Sequence, residues 1–381
     1  MHYFLAEDAV LKWLETPSLY RITSDELYEL DDESFAFLRQ CSTAGGGDSP
    51  ENEFIRYCLD EGLLTERPVR GKRPPLLRSP VPSLRYLEMQ ITDRCNLRCR
   101  HCYMGDHSPH DLPLTTVRSV LEEFDRMQGL RLLITGGEPL LHHAFGAVND
   151  LLPSLAARKV LFTNGLLITI PLLRQLRVDE IQVSIDGLES AHEAVRGKGS
   201  FEHAMDAVRM CLDAGVDVSV ATMVHRQNLG DFPEMELMFR QLGVRDWTVD
   251  VPCVTGRLAG NPDLIVPPEL GGPYLRYGFG GGFHDSTAGF ACGLHLMSVS
   301  AEGLASRCTF YADRRAGDAG QGLRTCWEKI TPVRLKELDC DCAYVDDCRG
   351  GCRYRAEVLG GPGARDLYKC HLHGIMGTKS A

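Results

Sequence analysis

The sequence predicts an α/β protein built around a partial barrel of six parallel strands. A small winged-helix-like module precedes this TIM-like (β/α)6 arrangement and a cysteine-rich segment follows it. Three observations predict this. Strand-like and helix-like runs alternate between residues 83 and 255, strand patterns precede short helices in residues 1–66, and cysteines recur at close spacing after residue 256. Alternating strands and helices imply right-handed crossovers and a parallel sheet, with reactive groups where the connecting loops gather, at the carboxyl ends of the strands.

The chain of 381 residues is long enough for two or three domains with ample core. In the first segment, 1–66, Leu19–Ile22 and Glu26–Leu30 alternate as strands. Asp31-Asp32-Glu33-Ser34 opens a short helix carrying Phe35, Phe37 and Leu38, and Glu53–Leu59 reads as a second helix after a Gly-rich loop. Fifteen acids against Lys12, Arg21, Arg39 and Arg56 place in this segment a charge equal to the whole chain's net −11. Such a surface disfavours nucleic acid and suits a basic or amphipathic peptide, or is a solvated face. Residues 67–82 form a proline-rich linker in which Arg67, Arg70, Lys72, Arg73 and Arg78 are expected to be solvated, the alternative being that they lie on the acidic module. Between 83 and 255 the candidate strands are Leu84–Ile91, Leu130–Ile134, Val160–Thr163, Glu180–Ile185, Val216–Met223 and Trp247–Val251. Phe201, Ala204, Met205, Val208 and Leu212 mark one face of a helix.

The chemistry concentrates after the first of these strands, in Cys95-Asn-Leu-Arg-Cys99-Arg-His101-Cys102. Three thiolates on one loop can hold three irons of a cubane cluster and leave the fourth open to a substrate or cofactor. A zinc loop would want a fourth ligand close by, and none stands nearby in sequence. After the second strand comes Gly136-Gly137-Glu138-Pro139. Thr163-Asn164-Gly165 follows the third strand, Ser184-Ile185-Asp186-Gly187 ends the fourth, and Arg196 lies a little beyond. A second cysteine field, residues 256–381, reads Cys292-x10-Gly303-x4-Cys308, then Cys340-x-Cys342-x5-Cys348-x3-Cys352, then Cys370. Fifteen cysteines in a chain without a recognisable secretion signal argue for metal or redox use in a reducing, oxygen-poor cytoplasm, not for disulfides.

Cys-x3-Cys-x2-Cys followed by Gly-Gly-Glu-Pro resembles the signature of the radical S-adenosylmethionine (SAM) family. The resemblance implies a [4Fe-4S] cluster on Cys95, Cys99 and Cys102 that binds SAM and cleaves it to a 5′-deoxyadenosyl radical. It further implies that Gly136 and Gly137 admit the methionine end of SAM and that Glu138 meets its amino group. Ser184 would reach its ribose or carboxylate, Arg196 would pair with the carboxylate, Asn164 and Asp186 would also bind the cofactor, and His101 would lie against adenine. The C-terminal field resembles the SPASM extension, apart from the single residue between Cys340 and Cys342. That implies one auxiliary cluster on Cys292, Cys308 and Cys352 and a second on Cys340, Cys342, Cys348 and Cys370. No cysteine stands just before Cys292, where the sequence reads Phe283-His284-Asp285-Ser286. The first auxiliary cluster thus keeps an open iron, accepts His284, or recruits Cys326 or Cys253. Cys41, Cys58 and Cys211 read as buried core thiols.

Residues 1–66 are similar to the PqqD-like element that adds a leader peptide as a strand to a small sheet. Together these resemblances imply an enzyme that modifies a ribosomally made precursor peptide by hydrogen abstraction, forming a thioether or C–C crosslink. An electron donor such as flavodoxin or ferredoxin would serve it. Two alternatives stand beside it, a maturase of a small molecule such as modified haem and an iron–sulfur electron carrier without catalysis. Asp8, Lys12 and Glu15 interrupt the first apolar stretch, and no apolar run is long enough to span a bilayer, so neither a signal peptide nor a membrane partner is expected.

Overall fold

The computed structural model describes residues 1–69, 71, 73–106, 109–284 and 289–375. Arg70, Lys72, Asp285 and Ser286, named above, lie outside the described residues.

The first 66 residues form two small antiparallel sheets. Strand β1 (His2–Leu5) lies between β5 (Gly47–Asp48) and β6 (Leu64–Thr65), while β2 (Ala9–Trp13), β3 (Pro17–Arg21) and β4 (Glu26–Glu29) form a meander. Helices Asp32–Cys41 and Glu53–Asp60 begin where side chains satisfy free N–H groups: Asp31 accepts from Ser34 N at 2.7 Å and Asn52 from Ile55 N at 2.9 Å. Their inner faces, with Phe35, Leu38, Ile55 and Cys58, pack on Tyr3, Leu5 and Leu19. The pattern at 19–30 and both helices match expectation. Strands β1 and β2 are new, because Asp8 and Lys12 read as interruptions. Lys12 lies inside β2 and is fully buried.

Six parallel strands follow in spatial order: β7 (Tyr86–Thr92), β8 (Arg131–Gly136), β9 (Arg158–Thr163), β10 (Glu180–Ser184), β11 (Asp217–Met223) and β12 (Asp246–Asp250). This is the expected parallel α/β core. Its helices bury faces spaced by three and four residues, as Val117, Val120, Leu121 and Phe124 do in Leu114–Arg126. The sheet does not end with β7. β13 (Leu296–Val299) adds parallel to β7, and β14 (Leu304–Ser306) and β15 (Gly317–Asp318) continue it antiparallel, so the cysteine-rich segment shares the barrel's sheet.

Buried charges join the N-terminal sheets to the amino ends of the barrel strands. Lys12 Nζ donates to Gly129 O at 2.7 Å and Ala156 O at 2.8 Å. Arg158, 1 % exposed, donates to Ile22 O and Thr23 O and also pairs with Glu180 and Asp217. Arg131 pairs with Asp25. The linker is held too: Arg73 donates to Leu5 O, Ala6 O and Ala9 O, which corrects the expectation that it is solvated. Lys12→Met keeps the stem but removes both buried hydrogen bonds. It is expected to lower unfolding free energy by about 2–4 kcal/mol, measured by urea denaturation.

Candidate functional site

A cavity of about 1130 Å³ runs through the barrel. At the carboxyl ends of the strands Cys95, Cys99, Cys102, His101, Gly136, Gly137, Asn164, Ser184 and Arg196 all line it. The cysteine loop is held by the strand beside it. Gly137 N donates to Thr92 O at 2.8 Å and Glu138 N to Arg94 O at 2.7 Å. A Cβ on Gly136 would stand 2.4 Å from Thr92 O, and one on Gly137 2.5 Å from Arg94 O, so only glycine permits this approach. Burial pushes the Cys95 thiol up to about 11 and also raises Cys99, where Arg196 opposes it. Metal binding here must therefore displace protons.

Glu138 and Asp186 stand behind the cavity wall. Glu138 is fully buried; its carboxylate accepts from Thr163 Oγ1 (2.9 and 3.0 Å) and Asn164 N (2.9 Å). Burial pushes it up to about 7, against these bonds. The carboxylate thereby braces the end of β9. Asp186, 0 % exposed, accepts from Arg196 Nε at 2.6 Å and Met223 N at 2.7 Å and faces His101 Nε2 at 3.1 Å. Burial works to raise its pKa, but Arg196 and then His101 hold it well below the usual carboxylate range. Asp186 thus aims two residues that do line the cavity. Arg196 presents NH1 4.0 Å from Cys99 Sγ, and His101 keeps a buried Nδ1 without a protein partner among the described residues. Asn164 Nδ2 donates to Asn96 Oδ1 at 2.7 Å, joining the third strand end to the cysteine loop.

The C-terminal cysteines gather in two places. Cys340, Cys342, Cys348 and Cys370 line one small hollow with Lys369 and His373, so the short Cys340–Cys342 spacing does not separate Cys340 from its companions. Cys308 is near enough to Cys292 and Cys352 to feel the charge of both. Of the open alternatives for a fourth partner, Cys253 Sγ lies 3.9 Å from Cys352 Sγ. His284 instead bonds Asp25 O at 2.7 Å and faces the edge of Tyr20. Cys326 is buried beside Gly317, near Lys329. Cys41, Cys58 and Cys211 are buried in apolar cores.

Several site residues carried no readable signal. Arg257 N and Nε donate to Cys102 O and Cys99 O, both at 2.9 Å, and its NH1 to Asp106 Oδ1 at 2.8 Å. Glu88 lies on the cavity wall, where burial pushes it up to about 7 against a hydrogen bond from Thr309. These contacts join segments far apart in sequence, and the only local clue was the charge of Glu88 in an apolar strand.

Residues 89–238 match the Radical SAM superfamily. Members of that superfamily are enzymes that use a [4Fe-4S] cluster and SAM. The three converging thiols and the glycine-lined approach fit that pair of groups.

Among curated relatives, the AdoMet-dependent heme synthase of Nitratidesulfovibrio vulgaris is 28% identical over 204 residues, 51% of this chain and 55% of that protein. The mycofactocin maturase MftC of Mycolicibacterium smegmatis is 31% identical over 164 residues, 41% of this chain and 42% of that protein. The chain thus spans about half the length of the curated relatives it matches. In overall fold it is similar to Streptococcus suis SuiB, solved with its precursor peptide SuiA. The TM-score is 0.68 at 13% identity, covering 96% of this chain and 100% of that one. No helix among the described residues is long and apolar enough to cross a membrane.

Two substitutions probe this geometry. Gly137→Ala forces the cysteine loop away from β8 and is expected to cost about four irons per chain after anaerobic reconstitution, read by iron assay. Asp186→Ala leaves Arg196 buried without its counter-charge and is expected to destabilise the fold by about 3–5 kcal/mol in urea denaturation.

Proposed function

We propose that this protein is a radical SAM enzyme that modifies a ribosomally made precursor peptide by hydrogen abstraction, with a thioether or C–C crosslink as the product. The observation that carries this reading is the cavity of about 1130 Å³ whose wall includes both the three-cysteine loop and Cys253, Thr309 and Phe310 beside the C-terminal cysteines. A substrate residue there reaches a SAM-binding cluster at one end and an auxiliary cluster on its flank.

In this reading Cys95, Cys99 and Cys102 hold the first [4Fe-4S] cluster. Cys292, Cys308 and Cys352 hold one auxiliary cluster, and Cys340, Cys342, Cys348 and Cys370 the other. Bound together, the first cluster and SAM supply reductive cleavage to a 5′-deoxyadenosyl radical, with electrons from a flavodoxin or ferredoxin. The residues of the chain orient and enclose. Gly136 and Gly137 admit the methionine end, and Arg196, aimed by Asp186, presents its guanidinium to the carboxylate. Ser184 would reach the ribose or carboxylate, Asn164 would bind the cofactor beside it, and His101 would lie against the adenine; all three line the cavity. The barrel walls exclude water from the reacting carbon.

The open side of β4 supports a peptide partner. Leu30 N donates to Pro17 O, so by alternation Leu27 and Glu29 turn their N–H groups outward, and among the described residues no strand pairs there. Glu26 and Glu29 make this edge acidic and exposed. A basic leader segment adding as a strand would find both backbone donors and charge complementarity. The reading is further supported by the likeness to MftC and to the fold of SuiB. The likeness to the heme synthase favours a second reading, a small modified haem as substrate, which leaves β4 without a role.

Reconstituted protein reduced with dithionite in the presence of SAM is expected to release 5′-deoxyadenosine, measured by liquid chromatography, and Cys99→Ala is expected to reduce that yield to background. Deleting residues 1–66 would uncover the buried charges at the barrel base, so a point variant separates the two substrates. Glu29→Pro removes one outward N–H without touching the β3 ladder. It is expected to lower modification of a precursor peptide at least about tenfold while leaving peptide-free SAM cleavage unchanged. Equal loss of both activities would count against β4 as the peptide-binding edge.

A further inference from the structure

The segment after β12 brings one more thiol to the first auxiliary group. Cys253 is 3 % exposed, and its Sγ lies 3.9 Å from that of Cys352, 99 residues away in sequence. A buried clamp creates this contact. Arg355 NH1 donates to Val251 O at 2.6 Å and Asp250 Oδ1 at 2.9 Å, while its Nε and NH2 donate to the two oxygens of Asp366 at 3.1 and 2.7 Å. Asp366 Oδ2 in turn accepts from Cys352 N at 2.8 Å. Arg355 is 4 % and Asp366 1 % exposed, so these charge-assisted bonds act away from water, where they are strongest. The clamp fixes residues 250–253 against the start of helix Arg353–Gly360, which Cys352 precedes. On its other side the same segment is pinned to the first cysteine loop. Gly256 crosses so close that a Cβ would stand 2.4 Å from Cys102 O and Tyr103 O.

We infer that Cys253 is the fourth protein ligand of the first auxiliary cluster, beside Cys292, Cys308 and Cys352. This rests on the reading of those three as cluster ligands. The competing candidates are committed elsewhere, His284 to Asp25 O and Cys326 to the packing under Gly317. With four thiolates the cluster is closed and has no vacant iron, so a substrate thiol cannot bind it as a ligand. The substrate meets it across the cavity wall and not through a metal–sulfur bond.

The test uses the full chain carrying Cys95→Ala, Cys99→Ala and Cys102→Ala, which removes the open iron of the first cluster. This parent is reconstituted anaerobically and probed with 13C-cyanide, an iron ligand that needs a vacant position, by iron assay and by EPR and ENDOR of the reduced clusters. The parent is expected to bind about eight irons and to show no 13C coupling. Adding Cys253→Ala is expected either to create that coupling or to lose about half the iron. Cys253→Ser, which keeps a hard oxygen ligand, is expected either to shift the g values of one cluster or to lose the same iron. Cys326→Ala should match the parent. Cyanide coupling in the parent, or Cys253→Ala and Cys253→Ser spectra superimposable on the parent's, overturns the inference while leaving the cluster reading intact. A parent that binds no iron overturns both.

Discussion

The site depends on a backbone contact between the end of β8 and the start of the cysteine loop. Two hydrogen bonds, Gly137 N to Thr92 O and Glu138 N to Arg94 O, stitch the loop to the neighbouring strand. The approach is so close that any side chain on either glycine would collide with a carbonyl oxygen. The loop must present three thiols to one point, and a loop fixed only at its ends would lose too much conformational entropy to do so reliably. The braces behind it are likewise buried. Glu138 ties β8 to the end of β9, and Asp186 ties β10 to Arg196, His101 and the backbone of Met223. Arg196 and His101 on the cavity wall are therefore aimed by a buried carboxylate that does not line it.

The opposite end of the barrel uses charge in another way. Here Arg131, Arg158 and Arg245 converge with Glu180, Asp217 and Asp25, and the N-terminal sheets cap them with the carbonyls of Ile22, Thr23 and Ser24. Each guanidinium at this end is answered by a carboxylate or a carbonyl, which is the condition for burying charge without heavy loss. The N-terminal module thus completes the barrel base as well as exposing the acidic β4 edge.

Much of this was legible in the sequence because periodicity and local spacing are local properties. All six barrel strands follow from apolar runs, and the cysteine loop, Gly136, Gly137 and Ser184 stand at strand ends that a parallel sheet must bring together. What escaped reading was decided by distant contacts. Lys12 looks like a break in an apolar run until the carbonyls of Gly129 and Ala156 supply its partners. The place of β13 beside β7 rests on pairing across some two hundred residues, where no local signal reaches. The burial of Glu138 and Asp186 had no local signal either, because it depends on donors from other segments. Cys253 stood in the sequence as one of two thiols open to recruitment by the first auxiliary cluster, and its approach to Cys352 through the Arg355–Asp366 clamp distinguishes it from Cys326.

A closed auxiliary site changes what must orient the substrate. An open iron would seize a cysteine thiolate directly and fix its geometry through a metal bond. Without one, orientation would fall to the cavity wall and its polar groups. Gln182, Ser184 and Thr248 lie on β10 and β12, while Glu88 stands on β7, close enough to Tyr103 and Cys308 for its charge to raise both. Glu88 lies between the two cysteine groups in a setting that removes most of its hydration, and burial holds its pKa up to about 7. A carboxyl in that state presents either a donor or an acceptor at neutral pH, whereas the amides and hydroxyls across the cavity keep fixed roles. Glu88 thus offers a bound side chain a partner of variable role on the wall beside Tyr103 and Cys308.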